Sequence, residues 1–431
     1  MSKKQSIAVL GAGPMGLAVA YQLALDGCSP VVFEADDRIG GMAAPFDFSG
    51  TWIERYYHFH CTSDSAFLLL LKELNLEHKM HWVPSKMGYW YLNQLQDWGD
   101  PISLLKFKGL GLIPKMRYAI HAFSSTKRTN WQGMDKENAV SWVKKWVGPK
   151  AYEVLWRKLF EYKFYEYTNN LSAAWIWSRV RRLGRSRYDL FREKLGYLDG
   201  GSDTLLQAMR QTIENHGGQV VLRARVEEVV LENGAVKGVM VNGALHSFDK
   251  VISTIPLPYV AKLCPELPES IRAQYAAKKN IAVVCVIVKL KKPATKYFWL
   301  NTNDDEMDIP GIIEYTNLRP MDHHILYVPF YMPGEHPKYQ ESDFNFSQKV
   351  KSYLQKVNPN LTNDDFLDIH VSRYRFAQPI CEPRYLETLP PIELPIKGLW
   401  VADTSYYYPE DRGISESVDL GRKMARMAQS Q

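Results

Sequence analysis

Two stretches of the sequence carry polar side chains in patterns that suit chemistry. His58 and His60 alternate within a run of aromatic residues, and Glu410, Asp411 and Arg412 directly follow three tyrosines and a proline. Alternation on a predicted strand turns both histidines to the same side, where they can face a bound molecule. Two histidines at this spacing also suit a metal ion, but the sequence offers no matching third ligand, so no metal site is predicted. Structural roles for both histidines are the competing interpretation.

Arg412 is the leading candidate in the second stretch because its rigid, planar guanidinium matches carboxylate and phosphate groups. The catalytic candidates are therefore His58, His60 and Arg412. A solvated loop that caps a helix is the competing interpretation of residues 406–413.

A third candidate stretch, residues 373–379, alternates arginine with aromatic residues. On a predicted strand, Arg373 and Arg375 lie on one face and Tyr374 and Phe376 on the other. Such a strand either lines a pocket or forms a salt-bridged surface, and the pattern leaves both open. The residues predicted to contact substrate are Tyr374, Arg375, Tyr407 and Tyr408.

The amino-terminal residues predict the βαβ unit that must position the bound molecule. A short apolar strand is followed by the motif G-x-G-x-x-G, whose glycines are Gly11, Gly13 and Gly16. Pro14 suits the first turn of the helix that begins there. A second strand ends at Glu34, whose carboxylate can accept hydrogen bonds from a ribose. The unpaired N–H groups at the helix amino terminus make a diphosphate the expected ligand.

The continuation of this unit, DRIGG at residues 37–41, resembles the D-R-x-G-G extension of flavoproteins. With the terminal segment VADTSYYYPEDRG, it makes the chain resemble the superfamily of FAD-dependent amine oxidases, protoporphyrinogen oxidases and phytoene desaturases. The resemblance implies a non-covalently bound FAD and a hydrogen bond from Asp403 to its ribityl chain, although Ala402 stands where the family usually has glycine. The residues implied to bind FAD are Gly11, Ala12, Gly13, Pro14, Met15, Gly16, Glu34, Ala35, Arg38, Gly40, Gly41, Met42, Val226, Asp403, Arg412, Gly413 and Ile414.

The fold implied is α/β, of the two-dinucleotide-binding (Rossmann-like) FAD type, with a discontinuous α+β substrate domain. Three FAD-binding parts are predicted at residues 1–84, 196–258 and 396–431. The helical part of the substrate domain is predicted at residues 85–195 and its sheet part at residues 259–395.

Composition describes an ordinary globular protein, with 46% hydrophobic and 23% charged residues. A net charge of +6 over 431 residues does not indicate a nucleic-acid partner. Five cysteines without paired spacing favour reduced thiols in a cytoplasm. Two basic and apolar segments, 101–123 and 175–187, raise the alternative of peripheral contact with the inner face of a membrane. A solvated face at 175–187 and a pocket-capping role for 101–123 are the competing interpretations.

The expected function is an FAD-dependent oxidoreductase that removes a hydride from a small molecule. A nucleotide- or lipid-linked sugar is the favoured substrate, since the terminal segment resembles FAD-dependent oxidoreductases associated with bacterial envelope saccharide biosynthesis. Three alternatives stay open: a non-redox sugar mutase similar to UDP-galactopyranose mutase, a membrane-associated porphyrinogen or isoprenoid desaturase, and a non-enzymatic FAD-binding sensor or scaffold. An NAD-dependent dehydrogenase is disfavoured because the sequence holds a single G-x-G-x-x-G motif.

Overall fold

The computed structural model describes residues 5–187 and 193–430. Its strands, in chain order, are β1 Ile7–Leu10, β2 Val31–Phe33, β3 Pro45–Phe48, β4 Thr51–Glu54, β5 His60–Cys61, β6 Met80–Pro84, β7 Met87–Tyr91, β8 Gln94–Trp98, β9 Lys194–Leu198, β10 Gln219–Val221, β11 Val226–Glu232, β12 Ala235–Val241, β13 Ala244–Ser247, β14 Lys250–Ser253, β15 Asn280–Leu290, β16 Trp299–Asn303, β17 Gly311–Glu314, β18 His324–Pro333, β19 Phe366–Pro379 and β20 Leu399–Val401. Its α-helices are α1 Pro14–Leu25, α2 Ser65–Glu73, α3 Pro101–Lys106, α4 Leu112–Lys127, α5 Ala139–Val147, α6 Pro149–Leu155, α7 Arg157–Phe164, α8 Ala173–Arg185, α9 Ser202–Asn215, α10 Leu257–Leu263, α11 Glu269–Ala276, α12 Asp343–Val357 and α13 Ile414–Gln429.

A parallel sheet in the order β10-β2-β1-β14-β20 forms the nucleotide-binding part. Its strands come from three separated stretches of sequence, and the apolar residues of β1 and β20 are all buried, as a sheet covered on both faces requires. β1 lies between β2 and β14, so the order reverses beside it and leaves a crevice at the carboxyl ends of the strands. The expected discontinuous Rossmann-like fold is therefore confirmed.

Helices α1 and α13 pack closely against each other beside this sheet. Gly421 of α13 makes the approach possible, because a Cβ atom there would lie 2.5 Å from the carbonyl oxygen of Met15. The amino terminus of α13 is thereby held near the amino terminus of α1. An antiparallel meander, β11-β12-β13, joins β10 to β14.

A second sheet, in the order β19-β15-β18-β17-β16-β7-β8, forms the floor of the substrate part. β15 pairs antiparallel with both β18 and β19, and almost all of its residues are buried. Strands β7 and β8 lie at the start of the segment expected to be mainly helical, so that expectation holds only from α3 onward. The domain boundaries stay a prediction, and residues 188–192 of the 85–195 segment lie outside the described residues.

Candidate functional site

A cavity of about 1800 Å³ lies between the two sheets. Its lining includes the residues that follow β1 and β2, the middle of β15 and β18, and one side of α4 and α8. Pockets for single small ligands usually measure about 300–1,000 Å³. The cavity is therefore large enough for a dinucleotide and a second molecule together.

Backbone groups of the glycine motif form one end of the cavity. Gly11 has a φ of +95°, which favours glycine, and a Cβ atom on Gly16 would lie 1.9 Å from the carbonyl oxygen of Gly11. A Cβ atom on Gly13, in contrast, would meet no atom within 4 Å, so Gly13 faces open space in the cavity. Helix α1 has no side-chain cap and no acidic residue in its first turn. Its free N–H groups therefore suit a diphosphate, with Pro14 and Met15 also in the lining.

Glu34 lies at the end of β2 with its carboxylate held by backbone groups. The backbone N–H groups of Ala12 and Asp36 donate to its two oxygens at 2.7 and 2.9 Å. Glu34 and Ala35 line the cavity, where the carboxylate can meet a ribose. The backbone N–H group of Ala12 holds the Glu34 carboxylate in place, although Ala12 itself is not part of the cavity lining.

The structure corrects the roles implied for Arg38 and Gly40. The Arg38 guanidinium donates to Asp37 at 2.7 Å and to the carbonyl of Pro45 at 3.1 Å, and it is not part of the cavity lining. Gly40 has a φ of +113°, and a Cβ atom there would lie 2.8 Å from the Cα atom of Ala44. Both residues shape the turn that presents their neighbours Gly41 and Met42 to the cavity.

The carboxyl-terminal segment meets the same cavity just beyond the carboxyl end of β20. Asp403 accepts hydrogen bonds from the backbone N–H groups of Leu257 at 2.9 Å and Ser405 at 2.8 Å, and burial raises the pKa of its carboxyl group. Gly413 caps α13 without a side-chain hydrogen bond, and both it and Ile414 line the cavity. The free N–H groups of this helix suit the electron-rich edge of a flavin.

Val226, at the start of β11, lines the cavity at the position implied for the adenine. The two uncapped helix termini, the open space at Gly13 and the fixed Glu34 carboxylate thus fit the parts of FAD along one continuous surface.

The two histidines do not share a strand, so the predicted alternation is wrong. Residues 55–59 form a turn and an irregular connection between β4 and β5, and only His60 lies in a strand. The His60 ring stacks on Phe67 with centroids 3.7 Å apart, and burial lowers its pKa to about 3. Burial also lowers the pKa of His58, whose Nδ1 has no hydrogen-bond partner. Both neutral rings line the cavity, and no metal-binding group of three ligands occurs among the described residues.

Arg412 and Asp411 face the cavity in an ion-pair network. The Arg412 guanidinium donates to the carbonyl of Ala377 and lies 3.5 Å from the hydroxyl of Tyr331. Asp411 accepts hydrogen bonds from Arg179 at 2.8 Å and from the Gln378 amide at 2.9 Å. Burial alone would raise the pKa of Asp411, but the surrounding cations lower it to about 2.

The segment 175–187 is mostly packed into the protein, although Arg185 and Arg187 are exposed. Trp175 and Trp177 are fully buried within the helical layer. Two of its arginines turn toward the site: Arg181 lies 3.4 Å from Glu410, and Arg182 lies 2.9 Å from Asp64. This segment of α8 therefore holds the carboxyl-terminal loop in place.

The structure separates the predicted substrate residues into two groups. Tyr374 and Tyr407 line the cavity. Tyr408 donates to Asp135 and lies 2.6 Å from the Ser172 hydroxyl, outside the lining. Arg375 pairs with the exposed carboxylate of Glu335 and is not part of the cavity lining. The predicted substrate contacts of Tyr408 and Arg375 are thus corrected to structural and surface roles.

Sequence reasoning missed the side chains that the substrate sheet and α7 bring to the site. Lys163, Cys285 and Tyr331 all line the cavity. No local motif marks them, since each faces the cavity only through long-range pairing of β15, β18 and α7. An isolated lysine within the aromatic run FEYKFYEY is the one signal that the sequence offers.

The far end of the cavity reaches the surface among exposed apolar side chains of α3 and α4. Leu105, Leu112, Met116 and Phe123 line the cavity and are also exposed, Phe123 by 62%. We call the following exposed set the apolar rim: Ile102, Leu105, Leu112, Ile113, Met116, Ile120 and Phe123. In the part of the chain that the structure describes, no helix is long and apolar enough to cross a membrane.

Known proteins resemble this chain in sequence and in fold. It is 26% identical over 295 residues to the 15-cis-phytoene desaturase of Synechococcus elongatus, and the matched region covers 60% of each of the two chains. The fold matches a provisionally named protoporphyrinogen oxidase of Exiguobacterium sp. 255-15 with a TM-score of 0.77, 16% identity and complete coverage of both chains. It matches reduced UDP-galactopyranose mutase with a TM-score of 0.76 and 16% identity, over 99% of this chain and 96% of that chain. At such identities the structural matches show the fold alone.

Residues 16–407 match the family described as flavin containing amine oxidoreductase. That range includes most of the nucleotide-binding sheet and the whole substrate sheet. The uncapped helix termini and the fixed Glu34 carboxylate agree with the cofactor that the family name implies. The chain therefore belongs to the family of flavin-containing amine oxidoreductases.

Proposed function

We propose that the protein oxidises a substrate that carries a long apolar chain, with a lipid-linked sugar of envelope saccharide synthesis as the favoured class. The observation that carries this proposal is the continuity of one cavity from Gly13 and Ile414 to Leu112 and Phe123. An apolar chain at the rim end places its head group toward Tyr331 and the FAD-binding residues. A water-soluble nucleotide sugar would leave the apolar end of the cavity without a matching partner.

Peripheral contact with a membrane is part of the same proposal. Single exposed apolar residues are ordinary, but a contiguous apolar patch indicates an interaction surface. The basic residues Lys106, Lys108, Lys127 and Arg128 are exposed around the apolar rim. Apolar side chains surrounded by cations suit the surface of an anionic bilayer. The substrate then passes from the bilayer into the cavity without crossing water.

The residues of the site bind and orient the head group. When bound, FAD supplies the two-electron oxidation itself. Neutral His58 and His60 and the donor groups of Arg412 present polar contacts to the head group. The aromatic residues Tyr57 and Tyr331 exclude water from the same region.

Desaturation of an isoprenoid chain is a second candidate function. It is favoured by the sequence similarity to phytoene desaturases and by the same apolar cavity. The products distinguish the two functions, since oxidation of a sugar changes the head group and desaturation changes the chain.

The test is anaerobic mixing of the purified FAD-bound protein with polyprenyl-linked sugars in vesicles. We expect the absorbance of oxidised flavin to bleach, with an oxidised head group as the product. Bleaching by a polyprenyl chain that lacks a sugar would support desaturation instead. An isomer formed only after prior reduction of the flavin would establish a mutase and contradict the proposal. No turnover with any of these compounds, with cellular function kept when FAD is bound, would favour a scaffold.

A further inference from the structure

Lys163 places a basic side chain inside the cavity. It lies near the end of α7, and its Nζ is 5.4 Å from the centroid of the Tyr331 ring and 5.9 Å from that of Phe164. Among the described residues, it makes no hydrogen bond and no salt bridge. Lys158, one turn earlier, instead pairs with Asp305 outside the cavity. A desolvated charge without a partner is costly, so its position inside a cavity points to a ligand.

Two arginines share the aromatic rings that Lys163 contacts. The Cζ atom of Arg412 lies 6.0 Å from the Tyr331 centroid, and that of Arg179 lies 5.7 Å from the Phe164 centroid. Asp411 is the carboxylate that faces these cations, and it already accepts hydrogen bonds from Arg179 and Gln378. The cluster of Lys163, Arg179, Arg412 and Asp411 thus holds three basic side chains against one carboxylate.

We propose that Lys163, with Arg179 and Arg412, forms a subsite for an oxyanion of the substrate, a carboxylate or a phosphate group. The inference rests on the function proposed above and specifies the head group of the lipid-like substrate. The apolar chain lies toward α4, and the anionic group lies between Lys163 and the carboxyl-terminal loop. The planar arginines and the point charge of lysine are the donors that proteins use for such groups.

The lowered pKa of Lys163 couples the binding of an oxyanion to a proton. Burial, followed by repulsion from Arg179 and Arg412, lowers the pKa of its ammonium group well below the usual range, against an opposing effect of Asp411. The group faces Tyr331 of β18, Arg179 of α8, and Asp411 and Arg412 of the carboxyl-terminal loop. An oxyanion bound beside it stabilises the protonated form, so binding should be accompanied by uptake of a proton.

The test compares three probes with the same ten-carbon chain: decyl phosphate, decanoate and decanol, below their micelle concentrations. Calorimetry on the FAD-bound protein should show tighter binding of at least one anion than of decanol. Lys163→Met should weaken the binding of that anion by about tenfold or more, the size expected for a lost charged contact. The affinity for decanol should not change. Lys158→Met is the matched control on the same helix and should change neither affinity. Whichever anion is preferred identifies the group as phosphate or carboxylate.

A second measurement does not depend on the variant. In buffers of different ionisation enthalpy, the wild-type protein should take up a proton with the preferred anion and none with decanol. Equal affinity for all three probes would overturn the subsite and leave the proposed apolar cavity standing. A Lys163→Met protein that keeps its anion preference but has a changed flavin reduction potential would also overturn it, because the lysine would then face the flavin. Failure of all three probes to bind would overturn the proposed function as well.

Discussion

The nucleotide end of the cavity is formed largely by backbone groups, whereas the substrate end consists of side chains from α3, α4, α7, β15, β18 and the carboxyl-terminal loop. At the first end, Gly11, Gly13 and Gly16 let a short stretch of backbone form a tight turn into the uncapped start of α1. At the second end, Lys163 and Tyr331 meet across more than 160 residues of sequence. Local motifs therefore determine which cofactor binds, and long-range packing determines which substrate binds.

The largest expected effect comes from filling the space at the nucleotide end. Gly13→Asp places a carboxylate where a diphosphate would bind, so we expect at least about a hundredfold loss of FAD affinity from charge repulsion and steric overlap. The Gly13→Ala variant should bind FAD much better than the Gly13→Asp variant, because the Cβ atom of alanine meets no protein atom within 4 Å. Fluorescence titration of the apoprotein with FAD measures both. Equal affinity of the aspartate variant and the wild type would refute the placement of the diphosphate.

The apolar rim should give the next largest effect. Ile113 and Phe123 are 72% and 62% exposed, and the double change Ile113→Asp with Phe123→Asp removes apolar area from the contact with lipid. We expect binding to anionic vesicles to weaken about tenfold or more, since each side chain contributes roughly 1.5–3 kcal/mol when buried. Phe344→Asp, at an equally exposed site on α12, is the control. Vesicle sedimentation that is unchanged in the double variant would exclude the rim as the membrane contact.

A smaller, pH-dependent effect is expected at His60. Its pKa is lowered to about 3 in the folded protein, so its contribution to stability is complete above about pH 6.5 and is lost as the pH falls toward 3. His60→Phe should reduce the acid loss of unfolding free energy by up to about 1.4 kcal/mol per pH unit. Denaturant unfolding at several pH values measures the slope. If the unfolding free energies of the two proteins fell in parallel as the pH is lowered, the pKa of His60 would not be lowered by folding.

The smallest effect is expected at Arg375, whose side chain is not part of the cavity lining. Its pair with Glu335 is exposed, so Arg375→Ala should change the unfolding free energy by at most about 0.5 kcal/mol and leave the Michaelis constant unchanged. Tyr374→Ala, on the neighbouring position that lines the cavity, should raise the Michaelis constant. If Arg375→Ala raised the Michaelis constant more than Tyr374→Ala, the placement of Tyr374 in the cavity and of Arg375 outside it would be wrong.

The same contrast explains what could be predicted from the sequence. The strand, glycines, helix and Glu34 form a local unit, so their geometry follows from a few consecutive residues. Arg38 and Tyr408 lie in segments identified correctly, but their directions depend on Asp37 and on the distant Asp135. The direction of a side chain depends on the residues that it contacts, and a sequence pattern does not identify those residues.

The histidines and the arginine-rich helix show the same limitation. Alternation predicted a strand through His58, yet residues 55–59 form no strand because only His60 and Cys61 find a partner in β9. In the sequence, the arginines of α8 resemble a solvated face. In the fold, three of them form ion pairs with acidic residues that are distant in sequence, namely Asp64, Glu410 and Asp411. Lys163 escaped notice because its place in the cavity depends on how α7 packs beside Tyr331 of β18.

The measurement that tests the central claim most directly is flavin reduction through a narrowed cavity. Ala122 lines the cavity on α4, near the apolar rim and away from the FAD-binding residues. Ala122→Trp should keep FAD bound and reducible by dithionite, but it should slow anaerobic flavin bleaching by a vesicle-embedded polyprenyl-linked sugar by about tenfold or more, as small-to-large changes that block a chain do. Bleaching at the wild-type rate in this variant, or equally fast bleaching of the wild type by a water-soluble nucleotide sugar, would contradict the account.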